Sequence, residues 1–313
     1  MAKIVEMGFY IPETKHTYTH ISAVSGLPPE VVRDKLGLLE KPVETRLELE
    51  EMAYRGLRPL VNAERAERIN VVIYSGSDAK GKMVWTLAPK VGYTLGLKHY
   101  YGFDVSAQCV GGLVGLHLAS KLVGASGYAL LSVATRQSWI VDYSDPSSTF
   151  MYDFSDGAMG ALIAEDEGLY DLLSSSFLSD GWFGDVVYAE NSHSKLAVHE
   201  VDGWRERMKS ESKKNFVYVV EDALAHAGVS STKIDFVGLV HMKRSFHREL
   251  LASLGVDEQR SIYLENYGHM QGVDPFLALH LGVKRRMVKR GDIVVLASAG
   301  TGWTWGASVL EVV

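Results

Sequence analysis

The sequence predicts an α/β protein of two pseudo-duplicated halves, residues 1–170 and 171–313, and three observations carry that reading. Strand-like and helix-like segments alternate along the chain. The strand-like runs are apolar at successive rather than alternate positions, as in strands covered by helices on both faces. The order of segments in the first half returns in the second with little identity.

Ile4 to Tyr10 reads as a strand stopped by Pro12, and Glu44 to Arg68, rich in Glu, Arg, Leu and Ala, as one long helix. Asn70 to Ser77 follows as a buried strand, then a helix near Ala88 to Leu95 and a strand running to Cys109. Leu113 to Val123 is apolar at helical spacing, and Tyr128 to Thr135 and Ala158 to Glu165 read as further buried strands. In the second half, a helix from Lys214 to Ala227, closed by Gly228, leads into the strand Ile234 to Val240, as the Glu44 helix leads into Asn70. Gly291 to Gly300 answers Gly127 to Ala134, and Ala307 to Val312 answers Ala158 to Ile163.

Composition narrows the class. The chain has 313 residues, 47% hydrophobic and 22% charged, which is ordinary globular composition with ample length for a large core. A net charge of -6 without a clustered basic run argues against a nucleic-acid partner, and the Lys209 to Lys214 segment reads as a solvated surface. Strand-length apolar runs and a start without a signal-peptide layout lead to the expectation of a cytoplasmic protein without a membrane partner. One cysteine excludes an internal disulfide and a multi-cysteine metal site, and no catalytic metal is expected.

That single cysteine, Cys109, falls at a strand-to-helix junction. A helix N-terminus presents unpaired N–H groups and partial positive charge, which favour a thiolate. Gly111 and Gly112 allow close backbone approach there. Catalytic partners are expected at equivalent strand ends in the second half, where His241 follows Val240 and His269 sits in Tyr267-Gly268-His269-Met270. Imidazole beside a thiol can pass protons or hold an oxyanion.

The segment Asp104-Val105-Ser106-Ala107-Gln108-Cys109-Val110-Gly111 resembles the nucleophile segment of β-ketoacyl-ACP synthase III, within the thiolase superfamily. Phe154-Ser155-Asp156-Gly157-Ala158 resembles the family's Gly-Asp-Gly-Ala turn, and Ala299 to Ala307 its C-terminal glycine-rich signature. The resemblance implies a thiolase fold with a layered α-β-α-β-α core, a homodimer and no cofactor, a CoA or phosphopantetheine thioester being substrate. It further implies an acyltransferase of lipid or polyketide metabolism. Cys109 takes an acyl group from acyl-CoA or an acyl carrier protein and passes it to a second substrate, by decarboxylative Claisen condensation with a malonyl thioester. His241 falls at the family's first histidine, while His269 stands where the family has asparagine, giving a Cys-His-His site. In that reading His269 is an oxyanion donor for the second half-reaction, and His241 serves both halves.

Val31 and Lys35 stand where the family carries the Trp and Arg that hold the CoA adenine. No glutamate occurs from Arg68 through Ala164, which speaks against the glutamate-base chemistry of the related HMG-CoA synthases. Trp85, Arg244, Gly300 and Gly302 are candidates for substrate contact, and Trp85, Tyr93, Met83 and Met151 for the wall of an acyl channel. Two other functions stay open: transfer to an amine, an alcohol or water without condensation, and a non-catalytic partner of another ketosynthase-like subunit.

Overall fold

In a computed structural model, residues 1–76, 82, 84–190, 195–199 and 201–313 are described. Nine strands pair in one sheet: β1 (Lys3–Tyr10), β2 (Ile69–Tyr74), β3 (Tyr101–Asp104), β4 (Tyr128–Arg136), β5 (Asp156–Ala164), β6 (Tyr170–Ser179), β7 (Ile234–Leu239), β8 (Ile293–Gly300) and β9 (Thr304–Val312). Their order is β7-β8-β9-β6-β1-β5-β4-β2-β3. In the first half β2 is parallel to β4, and β4–β5 and β5–β1 are antiparallel. The second half repeats this, with β7 parallel to β8 and antiparallel β8–β9 and β9–β6 pairs. The halves join where β1 meets β6, Lys3 opposite Asp171 and Ile4 opposite Tyr170. Edge strand β3 has as its counterpart only the parallel bridge between Val237 and Ser261.

Six helices complete the layers: α1 (Leu49–Leu57), α2 (Leu87–Thr94), α3 (Gly111–Leu122), α4 (Trp204–Ala227), α5 (Arg244–Ser253) and α6 (Asp274–Lys284). α1 covers β1, β4 and β5 on one outer face, and α4 covers β6, β8 and β9 on the other. α3 touches strands of both halves and α6 packs on β7 and β8, so these two form a central layer. All nine residues of β4 and all nine of β5 are buried, as double coverage demands. The result is the expected α-β-α-β-α stack, with three apolar clusters between its layers.

Several elements depart from the sequence reading for local reasons. The long helix expected over Glu44 to Arg68 breaks into α1, a turn at Arg58–Leu60 and a short helix Ala63–Arg68. Pro59 cannot donate to the preceding turn, and Asn62 caps the new start by accepting from Arg65 N. Glu44 lies outside any helix, its carboxylate accepting from Tyr10 Oη and from Arg46 and Leu47 N. The strand expected to run to Cys109 stops at Asp104, whose carboxylate caps α2 through Leu87 and Ala88 N. α4 begins ten residues before the expected start at Lys214. The boundary expected after residue 170 falls at the first residue of β6, and Ser77 lies outside the described residues.

Two elbows place the site. Gln108 and Gln271 each hold a positive φ, 48° and 54°, and each opens a short turn that runs into α3 or α6. The elbows meet back to back: a Cβ on Gly112 would lie 2.3 Å from Gly272 O, and one on Gly272 2.6 Å from Gly112 N. Backbone here leaves no room for a methyl group. Gly112→Ala is therefore expected to lower stability by about 2 kcal/mol or more, read as a fall in the urea midpoint. An unchanged midpoint would contradict this packing.

Candidate active site

Cys109 lies in the turn Gln108–Val110 at the start of α3 and is buried. Ser298 Oγ donates to Cys109 O at 2.6 Å, which ties the elbow to β8. Gly300 presses on the same turn, since a Cβ there would sit 2.6 Å from Ala107 O and 3.0 Å from Cys109 N. A side chain at position 300 would push the nucleophile out of place.

His269 is aimed at that sulfur by backbone pairing. Its N donates to Asp153 O and its O accepts from Ser155 N, both at 2.9 Å, while its ring meets Phe154 edge to face at 5.1 Å. Nε2 lies 3.0 Å from Cys109 Sγ, and Nδ1 lies 2.6 Å from Asp274 Oδ2. Burial works against charging this imidazole, but the Cys109 sulfur and the Asp274 carboxylate outweigh it and hold its pKa well above the usual histidine value. Sulfur, imidazole and carboxylate thus form a nucleophile–base–acid array.

His241 follows β7. Its N donates to Asp274 Oδ2 at 2.8 Å, so one carboxylate positions both histidines. Its Nδ1 lies 2.8 Å from Asp153 Oδ2, and its ring packs 5.0 Å from that of Tyr263. Behind Asp153 lies Lys41, fully buried, donating to Tyr152 O at 2.8 Å and Phe154 O at 2.5 Å, the carbonyls on either side of the aspartate. Burial pulls the Lys41 pKa down to about 8, against the opposing pull of Asp153 and Asp156.

These groups face a cavity of ≈ 380 Å³. Cys109, Asp153, His241 and His269 line it together with Leu36, Phe150, Phe154, Phe216, Val240, Met242, Phe246, Ala299 and Trp303. Met208, Ser212 and Phe216 contribute from α4 at helical spacing, and Lys209, Lys243 and Thr301 add polar groups. An apolar pocket with a few convergent polar atoms suits a hydrophobic acyl chain bearing one reactive carbonyl.

The structure brings Cys109, His241 and His269 to one cavity and pairs the thiol with His269, the residue that the resemblance cast as an oxyanion donor for the second step. Gly300 abuts the nucleophile, and Gly302, at φ 104°, stands between cavity residues Thr301 and Trp303. Trp85 is not brought to the cavity: it packs on the outer cluster around Leu49, with the Lys82 ammonium 4.5 Å above its ring. Arg244 does not line it either, because its guanidinium pairs with Glu265 and stacks 4.2 Å over Tyr263. Tyr93 is exposed, Met151 is buried in the core outside the lining, and Met83 lies outside the described residues. Val31 is half-buried and Lys35 exposed, on a turn that leads into cavity residue Leu36.

Sequence reasoning missed Asp153, Asp274 and Lys41. The one signal for Asp274 was the Asp274-Pro275 pair, a helix-start pattern. The Lys209 to Lys214 segment, read as a solvated surface, sends Lys209 and Ser212 to the cavity. The expectation of no metal passed over His16 and His20, four residues apart; their ring centroids lie 4.1 Å apart with the planes tilted by 41°. Burial and then His20 lower the His16 pKa to about 4. Among the described residues no group of three or more His, Cys, Asp or Glu side chains is placed to hold a metal.

Lys41 gives a pH test. Its folded pKa, about 8, lies below the ordinary 10.5, so between those values the unfolded chain binds the extra proton and stability rises with pH. Relative to Lys41→Met, wild type is expected to gain stability from about pH 8 to about pH 10.5, measured by denaturant unfolding at stepped pH. A flat difference across that window would show that Lys41 is not held in a charge-disfavouring site.

Comparison with known proteins gives the family and the fold. Residues 103–181 match the family model for 3-oxoacyl-[acyl-carrier-protein] synthase III, and residues 224–312 match that for its C-terminal part, together more than half of the chain. The β-ketoacyl-[acyl-carrier-protein] synthase III of Desulfotalea psychrophila is 27% identical over 328 residues, covering 98% of each chain. Among solved structures, 3-oxoacyl-[acyl-carrier-protein] synthase III from Aquifex aeolicus superposes with a TM-score of 0.88 at 22% identity, covering 99% of this chain and 100% of that one. Xanthomonas campestris OleA with bound lauric acid and lauroyl-CoA gives 0.85 at 15% identity, covering 99% and 98%. With both halves of the chain matched in order and the nucleophile elbow inside the first match, this chain belongs to the β-ketoacyl-ACP synthase III family, with the thiolase fold.

Proposed function

We propose that this condensing acyltransferase works through an acyl-enzyme on Cys109, with a CoA or acyl-carrier-protein thioester as donor and a malonyl thioester as acceptor. The observation that supports this most is the array Cys109 Sγ, His269 Nε2 and Asp274 Oδ2 at 3.0 and 2.6 Å, set in an apolar cavity. The thiolate attacks the thioester carbonyl, the carbon–sulfur bond to the donor thiol breaks, and the departing thiolate takes the proton from His269 Nε2. In the second half-reaction the malonyl thioester loses carbon dioxide, and its α-carbon attacks the carbonyl on Cys109. Carbon–carbon bond formation expels the Cys109 thiolate, and His269 regains its proton from solvent. The reading includes a cytoplasmic homodimer with no cofactor and no nucleic-acid partner, the last supported by the net charge of -6. No helix among the described residues is long and apolar enough to cross a membrane.

The assignment is tested by intact-protein mass spectrometry after exposure to a panel of acyl-CoA and acyl-carrier-protein thioesters. The adduct is expected on the Cys109 peptide and is lost in Cys109→Ser. Because His269 holds the thiol, His269→Ala should slow acyl-enzyme formation roughly 10²-fold or more, in the range of general acid–base losses. An adduct on another residue, or acylation at the wild-type rate in His269→Ala, would overturn this reading.

A further inference from the structure

The second histidine is wired differently from the first, and the difference carries chemistry that decarboxylative condensation does not need. His241 Nδ1 lies 2.8 Å from Asp153 Oδ2. An ionised carboxylate only accepts, so Nδ1 carries the hydrogen, and in the neutral ring Nε2 is then a bare lone pair. Nε2 is buried, has no hydrogen-bond partner among the described residues and belongs to a ring that lines the cavity with Cys109.

Asp153 and Cys109 each have a cationic partner other than this ring. Lys41, fully buried, bonds the carbonyls flanking Asp153 and places a cation beside that carboxylate. Asp274 reaches His241 through the backbone N alone, and the cationic partner of Cys109 is His269. Tyr263 packs against the His241 ring, and burial pushes His247, beyond that tyrosine, down to about 4.

Resting on the Cys109 acyl-enzyme above, we infer that His241 is a general base, positioned by Asp153 and Lys41, that takes the proton from an alcohol or amine as it attacks the acyl group on Cys109. A malonyl acceptor generates its nucleophile by losing carbon dioxide and requires no such base. An O–H or N–H acceptor does: its heteroatom bonds to the acyl carbon, its proton passes to His241 Nε2, and the carbon–sulfur bond breaks to return the Cys109 thiolate. The product is an ester or amide. Asp153 and Lys41 act only through His241 and are positioning residues.

Two measurements test this. In 15N-histidine-labelled protein at pH 7, with His241 assigned by its loss in His241→Gln, the spectrum should show Nδ1 protonated and Nε2 unprotonated. Asp153→Asn should disturb that tautomer, and Lys41→Met should shift the ring toward the doubly protonated form. A proton on Nε2 in wild type would overturn the base assignment, whether or not any donor acylates the enzyme. For the kinetic arm, enzyme acylated with hexanoyl-CoA is mixed with n-butylamine, n-butanol or malonyl-CoA and quenched. Asp153→Asn should slow discharge to butylamine or butanol by about 10²-fold more than it slows discharge to malonyl-CoA. Equal losses in both arms, or none in either, would overturn the proposal. If hexanoyl-CoA and the wider donor panel leave Cys109 unmodified, the acyl-enzyme reading fails instead, and the spectrum still decides the state of His241.

Discussion

The carboxylate of Asp274 is the constraint on which the site depends. It is fully buried at the start of α6 and accepts three hydrogen bonds: from His269 Nδ1, from His241 N and from Met270 N. A buried carboxylate is costly unless it is well satisfied, and the partial positive charge of a helix N-terminus helps to hold it. One charge thereby orients the ring that meets Cys109 and anchors the backbone from which the second ring projects. The two imidazoles are not independent catalysts placed in one cavity. They share a fixed reference point.

That point is itself set by the pseudo-duplication. α6 begins at the second elbow, and this elbow is locked against the first by the contact of Gly112 with Gly272 and by a hydrogen bond from Gln271 Nε2 to Gln108 Oε1 at 3.3 Å. The first elbow carries the sulfur and the second leads to the carboxylate, so their packing fixes the distance between nucleophile and base. The loop at Asp153 closes the arrangement from the third side, giving its carbonyl to His269 N and its carboxylate to His241 Nδ1. Lys41 holds that loop by both neighbouring carbonyls.

Much of the scaffold was legible because buried strands announce themselves. The runs at β4, β5, β7 and β8 are largely apolar at successive positions, and the lone cysteine shortly before two glycines marks a junction where helix follows strand. β6 was not legible, although it joins the halves. Its Ser174-Ser175-Ser176 run interrupts the apolar pattern, and the hydroxyls become tolerable in the sheet because Ala223 O, Ser308 Oγ and Asp222 Oδ2 meet them. The chemistry was half legible for the same reason. A histidine at a strand end can be suspected, but which ring faces the sulfur depends on carboxylates from residues 153 and 274, whose approach is a tertiary fact. Trp85 and Arg244 carried plausible chemistry in the sequence, yet packing and ion pairing take both away from the cavity.

The most direct measurement of this account is rapid-quench kinetics on Asp274→Asn, following acyl-enzyme formation and discharge to n-butylamine separately. The amide keeps the shape but has one acceptor oxygen in place of two, so it cannot serve His269, His241 and Met270 together. Because both rings take their position from this group, the account predicts that both steps slow, each by on the order of 10²-fold or more, in a protein that remains folded. Wild-type rates for either step would contradict a shared anchor and would leave the two histidines positioned by their own loops.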